Sequence, residues 1–218
     1  MKRTTGLVLA IIMLAATCPG LAATPAGEKT GVDVNIGLGF TKGIDAEKAL
    51  GTNIDQSAGA TLRFGATYRL PLMENFYLNP TFNIGFFKSE IDFGGAQATI
   101  GGQVVNLEKF EWNTTQINFG VHPIYYFMPP TAKFRPYGGL GLKLNINSFG
   151  DIDVTARQGT GTLDGPDGKT SLALGPMAGF DYMIKPNMSI PFWLQYDLLF
   201  AEDMTGVFMV MTGTTFYF

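Results

Sequence analysis

The side chains that most often do chemistry are scarce in this chain. Of 218 residues one is His and one is Cys, so no Cys/His ligand set for zinc and no disulfide partner is available. The histidine stands in His122-Pro123-Ile124, with no hydroxyl residue beside it in sequence. A nucleophile must lie within hydrogen-bond reach of its base, so His122 reads as a structural histidine satisfied by polar neighbours, and no catalytic residue is assigned. Asp151, Asp153, Asp164 and Asp167 cluster among Gly and Thr but lack the order of a calcium loop. Gly159-Thr160-Gly161 has no strand–turn–helix setting for a phosphate. No metal and no cofactor is expected.

The ionisable residues that remain of interest are Asp33, Arg63, Arg69, Arg135, Lys143, Asp181 and Asp197, together with His122. All fall on the polar parity of alternating segments. What they do depends on which way that parity faces.

Composition bears on this directly. Hydrophobic residues make up 46% and charged residues 15%, where soluble domains carry roughly 25% charge. Gly numbers 28 and Phe 18, with a net charge of −3. Such a chain has no basic face for nucleic acid and no charged disordered tail.

Residues 1–23 have the three parts of a secretory signal peptide. Lys2 and Arg3 precede the apolar run from Leu7 to Ala16, and Leu21-Ala22-Ala23 offers a small-residue cleavage site. The run is shorter than the roughly 20 residues of a spanning helix. Cys18 follows Ala-Ala-Thr, a poor lipoprotein signal. Cleavage removes two of the 15 basic residues and none of the 18 acidic ones, leaving 13 against 18, a charge of −5. Residues 24–218 form the remaining domain.

That domain alternates with period two in eight segments, over 32–40, 60–70, 76–86, 116–127, 139–146, 171–184, 190–198 and 205–218. Ala60, Leu62, Phe64, Ala66 and Tyr68 alternate with Thr61, Arg63, Gly65, Thr67 and Arg69, for example. This is a strand signal. A soluble sheet would turn its apolar face inward and cover the outside with charge. Here the polar face is mostly Gly, Asn, Thr and Gln, which is thin cover against water but suits a narrow interior. The reading is an all-β fold, an eight-stranded antiparallel up-and-down transmembrane β-barrel with its apolar face in lipid. A soluble secreted β protein is the third alternative. Connections at 71–75, 128–133, 185–189 and 201–204 are short, while 41–57, 88–109 and 147–169 are read as long external loops. Tyr68, Phe76, Tyr125, Phe127, Phe134, Tyr182 and Phe192 gather at the turn side, with Phe40 and Phe86 towards the loops, as two aromatic girdles would.

The last residues, Thr212-Gly213-Thr214-Thr215-Phe216-Tyr217-Phe218, resemble the assembly signal of outer-membrane proteins, with Thr212, Gly213, Phe216 and Phe218 at its defining positions. Arg135-Pro136-Tyr137-Gly138-Gly139-Leu140-Gly141 also resembles a strand start of small outer-membrane barrels. The chain is thus similar to the superfamily that holds the OmpA transmembrane domain, OmpX and OmpW. The resemblance implies a Gram-negative outer-membrane location and the barrel assembly machinery, outer-membrane lipid and lipopolysaccharide as partners. No peptidoglycan-binding domain is read after the barrel, so the anchoring role of full-length OmpA-type proteins is not implied. No nucleic-acid partner is expected from the composition, and a monomer is expected. His122-Pro123-Ile124 departs from the His-x-Ser of outer-membrane deacylases, so no enzyme is implied.

Charges in a narrow interior must pair, so the ionisable set above is expected to form a polar network in the lumen. Two roles follow: a filled barrel with a structural or surface-interaction role, or a narrow porin-like channel. Met177, Met183, Trp193, Met209 and Met211 share the inner face and leave open a conduit for small hydrophobic molecules, although Met also serves as gap-filler.

Overall fold

A computed structural model describes residues 31–39, 54–56, 59–70, 73, 75–100, 102–200 and 205–217. The signal peptide expected at 1–23, the connection 201–204, Phe40 and Phe218 lie outside the described residues. The elements are β1 (Gly31–Gly39), β2 (Ile54–Gln56), β3 (Gly59–Arg69), β4 (Phe76–Ile100), β5 (Gln103–Tyr126), β6 (Phe134–Ala156), β7 (Gly159–Leu163), β8 (Lys169–Lys185), β9 (Met188–Phe200), β10 (Thr205–Thr212) and β11 (Thr214–Tyr217).

Every pairing is antiparallel, and the pairings return on themselves. β1 pairs with β3, β3 with β4, and the series continues through β5, β6, β8 and β9. β9 then pairs with β10 and β11, and β11 pairs with β1 from Gly31↔Tyr217 to Val34↔Thr214. This ring gives β1, β3, β4, β5, β6, β8, β9 and β11 two neighbours each, which closes the edges that a free sheet must protect, while β10 pairs with β9. The final alternating segment is interrupted at Gly213, which separates β10 from β11. A Cβ at Gly213 would run into Asn35 on β1, so the break sits at a close approach of the two strands that only glycine allows.

Period two sorts the side chains as sterics require. Ile36, Phe64, Leu142, Leu172 and Phe200 stand exposed on the outside, Ile36 with 71% of its surface open. Rings line up across that surface, with Phe180 lying 4.9 Å from Phe134 and 5.5 Å from Phe192 between centroids. Tyr125, Phe127, Phe134 and Tyr182 are exposed at the end with the short turns, and Phe86 is exposed further along β4. Asn83, Asn118 and Asn145 point the other way and are buried. They stand opposite one another across β4, β5 and β6, and Arg63 opposite Asn35 and Asn83 carries the same level on to β3 and β1.

The structure corrects the long-loop reading of 88–109 and 147–169. β4 and β5 run for 25 and 24 residues and stay paired as far as Ile100↔Gln103. β6 runs for 23 residues, and its outer part is capped by the hairpin partner β7. β2, inside the expected loop 41–57, pairs with Ser89–Ile91 of β4. Charge and glycine in these stretches disguised ordinary strand chemistry. Phe93 packs on Phe110 with centroids 4.7 Å apart, and the described glycines of 88–109 fall in two places. Gly94 and Gly95, both at positive φ, make a bulge, and Gly102 at φ 81° makes the turn.

Candidate functional site: the polar interior

The inward face of β5 carries His122 and that of β9 carries Gln195 and Asp197, while β6 contributes Lys143. Two glycines make room for them. A Cβ on Gly141 would come within 2.6 Å of His122 Cδ2 and 2.7 Å of Gln195 Nε2, and one on Gly120 within 2.9 Å of Lys143 Cγ. Only glycine lets the larger side chains cross the ring at this level.

The result is one connected chain of polar groups. Lys143 Nζ donates to Asp197 Oδ2 at 2.7 Å, and both side chains are buried. Gln195 Nε2 donates to Asp197 Oδ1 at 2.8 Å and faces His122 Nε2 at 3.4 Å. The other ring nitrogen, His122 Nδ1, lies 3.2 Å from the Asn79 carbonyl and 3.4 Å from Thr81 Oγ1. An amide N–H can only donate to Nε2 and a carbonyl can only accept from Nδ1, so these contacts select the neutral tautomer protonated at Nδ1. His122 has no exposed surface at all. The Thr81 hydroxyl lies 3.4 Å from the protonated Nδ1, longer than the roughly 2.6–3.2 Å of a nucleophile–base hydrogen bond, and is buried with the histidine it faces.

Towards the turn end a second group crosses the ring. Arg63 donates from Nη2 to Asn79 Oδ1 at 3.0 Å, and Asn79 Nδ2 donates to Thr67 Oγ1 at 3.0 Å. The Arg63 guanidinium lies 4.4 Å from the Trp193 ring, a favourable cation–π contact between β3 and β9. Asp181 on β8 accepts at Oδ2 from Tyr126 at 2.7 Å and from Tyr217 at 2.9 Å. Ser189 Oγ is 3.1 Å from the Tyr217 hydroxyl. The Arg135 guanidinium lies 4.1 Å from the Tyr126 ring. A void of about 20 Å³ among Arg63, Asn79, Tyr126, Asp181 and Trp193 has room for about one water molecule.

The structure therefore gathers Arg63, His122, Arg135, Lys143, Asp181 and Asp197 inside the ring. They form two groups, because Lys143 and Asp197 pair with each other while Asp181 turns to tyrosines. Arg69 is half-buried at the turn end of β3. Asp33 has its backbone in β1, opposite Gly65, and its side chain lies outside the described residues. Met177, Trp193, Met209 and Met211 are buried within the ring, and Met183 is half-buried. Thr212 donates from Oγ1 to the Pro191 carbonyl at 2.9 Å, and Phe216 faces outward. Asp151, Asp153, Asp164 and Asp167 are exposed, and no metal-sized cluster occurs among the described residues. The sequence reading omitted Tyr126, Tyr217, Gln195 and Asn79. Their inward parity was visible, but not the partner that each meets across the ring.

Outside the ring, the outer parts of β4 and β5 are tied by ion pairs. Lys88 lies 2.7 Å from Glu111, and Lys109 lies 2.8 Å from Glu111 and 2.9 Å from Glu90. Hydrogen bonds from Lys109 and then Lys88 hold the Glu111 carboxyl well below the usual carboxylate range.

The arrangement matches a known family. Residues 8–216 match the model of the outer membrane protein beta-barrel domain. The chain belongs to that family. OprG, an outer-membrane protein of Pseudomonas aeruginosa, is 20% identical over 87% of this chain and 92% of its own, with a TM-score of 0.52. A major outer-membrane protein of Thermus thermophilus is 15% identical over 88% of this chain and 100% of its own, with a TM-score of 0.50. No curated protein matches the chain. At these identities the likeness is one of fold, and it agrees with an outward apolar face and an inward polar one in an outer-membrane barrel family.

Proposed function

We propose that the chain is an eight-stranded barrel spanning the outer membrane, exported by the segment 1–23, with a structural or surface-interaction role and no catalysis. In this reading 24–218 is the barrel domain, outer-membrane lipid and lipopolysaccharide surround it, and the barrel assembly machinery recognises Thr212, Gly213, Phe216 and Phe218. The supporting observation is that buried side chains meet across the interior rather than along it. Lys143 on β6 reaches Asp197 on β9 over the intervening β8, and His122 on β5 faces Gln195 on β9. Small barrels of eight strands leave an interior just wide enough for side chains to fill. Met177, Met209 and Met211 serve that filling, since a Cβ on Gly37 would come within 2.5 Å of Met211 Cγ.

The experiment is conductance of the refolded full chain in a planar bilayer, beside its heat-modifiable migration on a gel. A filled barrel gives a folded, heat-modifiable species without steady openings. Steady openings that widen in Asp197→Ala would favour the narrow channel, and binding of a small hydrophobic ligand inside the ring would favour the conduit. A product found soluble in the periplasm would sink the membrane reading itself.

A further inference from the structure

A cavity of about 560 Å³ opens at the short-turn end of the ring, between the turn that follows β5 and the turn that joins β8 to β9. Its described lining includes Arg69, Lys133, Arg135 and Lys185, and no carboxylate. Asp181, opposite Arg135 in the β6–β8 register, is the acid behind its wall, and its Oδ2 accepts from two phenols, one of which is Tyr217 of the lining. Lys133 and Lys185 are exposed at the mouth. Arg135 is different. It is 3% exposed, its Nε and Nη2 have no hydrogen-bond partner among the described residues, and its guanidinium face is held over the Tyr126 ring. A buried guanidinium kept in place by stacking, with N–H groups unused and three more cations around the same space, is what a fixed anion site requires.

We propose that this turn-end cavity binds a phosphate group, with Arg135 as its buried anchor and Lys133 and Lys185 as its gate. A guanidinium fork with flanking ammonium groups matches the several oxygens of a phosphate. The volume accommodates a polar headgroup. The cavity also reaches the outer surface. Ile184 lines it and is exposed on the outward face, and Lys133 lies 5.3 Å from the ring of outward-facing Tyr182. A headgroup can therefore enter from the side while its acyl chains follow the apolar exterior. This lipid source rests on the outer-membrane reading above, whereas recognition of the phosphate does not.

The test is native mass spectrometry of the full chain released from a nonionic detergent. Separate arms contain inorganic phosphate, phosphatidylglycerol and phosphatidylcholine. A single phosphatidylglycerol adduct is expected, with occupancy falling roughly tenfold in Arg135→Gln and in the double variant K133Q/K185Q. The double variant changes exposed residues only, so it decides the matter if Arg135→Gln fails to fold. K88Q/K109Q, at the other end of the molecule, is the control and should keep the adduct. An adduct with inorganic phosphate as well assigns recognition to the phosphate itself, and an adduct with lipid alone assigns it to the headgroup. No adduct in any arm, or adducts kept in full by K133Q/K185Q, would overturn the proposal. Partition of the protein into the outer-membrane fraction is scored separately, so failure of the membrane reading is not confused with failure of the site.

Discussion

Lys143 sits in the interior with no exposed side-chain surface, and its ammonium meets Asp197 at 2.7 Å. Removing one partner of a buried pair leaves an uncompensated charge, at a cost of about 3–5 kcal/mol, whereas replacing both with apolar residues is often neutral. Asp197→Ala should therefore lower the urea midpoint of the refolded protein by that equivalent, and K143M/D197L should recover most of it. A double variant as unstable as the single one would show that the pair is not the source of the loss. Gly141 gives a steric counterpart. An Ala Cβ there meets His122 and Gln195, and Gln195 is already held by Asp197. Overpacking of this kind costs typically about 1–3 kcal/mol, so Gly141→Ala should destabilise, and an added His122→Ala should restore part of the loss. Full additivity of the two changes would contradict the contact.

At the scale of elements, the outer parts of β4 and β5 depend on charge where the inner parts depend on packing. Glu111 is held ionised by Lys109 and Lys88, so its folded carboxyl titrates below its ordinary value of 4.5. A depressed acid contributes stability that is present above its unfolded value and lost as pH falls through its folded one. Lowering the pH from 5 towards 2 should thus release amide protection from Lys88 to Glu111 before that of the inner strands, as hydrogen exchange corrected for intrinsic rates would show. Glu111→Gln should weaken protection at pH 7 and remove most of this pH dependence. Protection that is equally pH-dependent in the variant would refute the assignment. These same strands mark how far the sequence could be read. Alternation over 76–86 and 116–127 is strict, because one face meets packed side chains and the other an apolar exterior, and it was legible at once. Just beyond, burial on β4 still alternates, but the apolar Phe87 and Ile91 now take the buried parity and the charged Lys88 and Asp92 the exposed one, so the pattern of 76–86 breaks although hydrogen-bonded pairing does not. The interior network was legible only as a list of inward residues. Its partners are chosen by the stagger of β5, β6, β8 and β9 around a closed ring, which no local pattern encodes, and so Asp181 on β8 meets Tyr126 on β5 and Tyr217 on β11 as well as standing opposite Arg135 on β6.

For the whole molecule the question is whether the sheet beyond the ring is needed by the ring. A membrane-crossing strand needs about 9–11 residues, and β4 has 25, so roughly 14 of its residues lie beyond that span. In the overhang β4 pairs with β2 and β5, and β6 pairs with β7. The partners that His122, Lys143, Asp181 and Asp197 meet among the described residues lie inside the ring. The bulge between Asp92 and Ala96 already breaks register with everything further out. Replacing residues 93–108 by an Asn-Gly turn, which joins the paired Asp92 and Lys109 by a two-residue hairpin, should therefore leave a protein that refolds, shifts on heating and keeps its urea midpoint within about 0.5 kcal/mol of the full chain, as for other changes away from the inner network. It should also lose any binding to lipopolysaccharide or to cell surfaces that the full chain shows. If the shortened chain fails to refold, the overhang nucleates or braces the ring. If it refolds and keeps surface binding intact, the outer hairpin is not the contact surface.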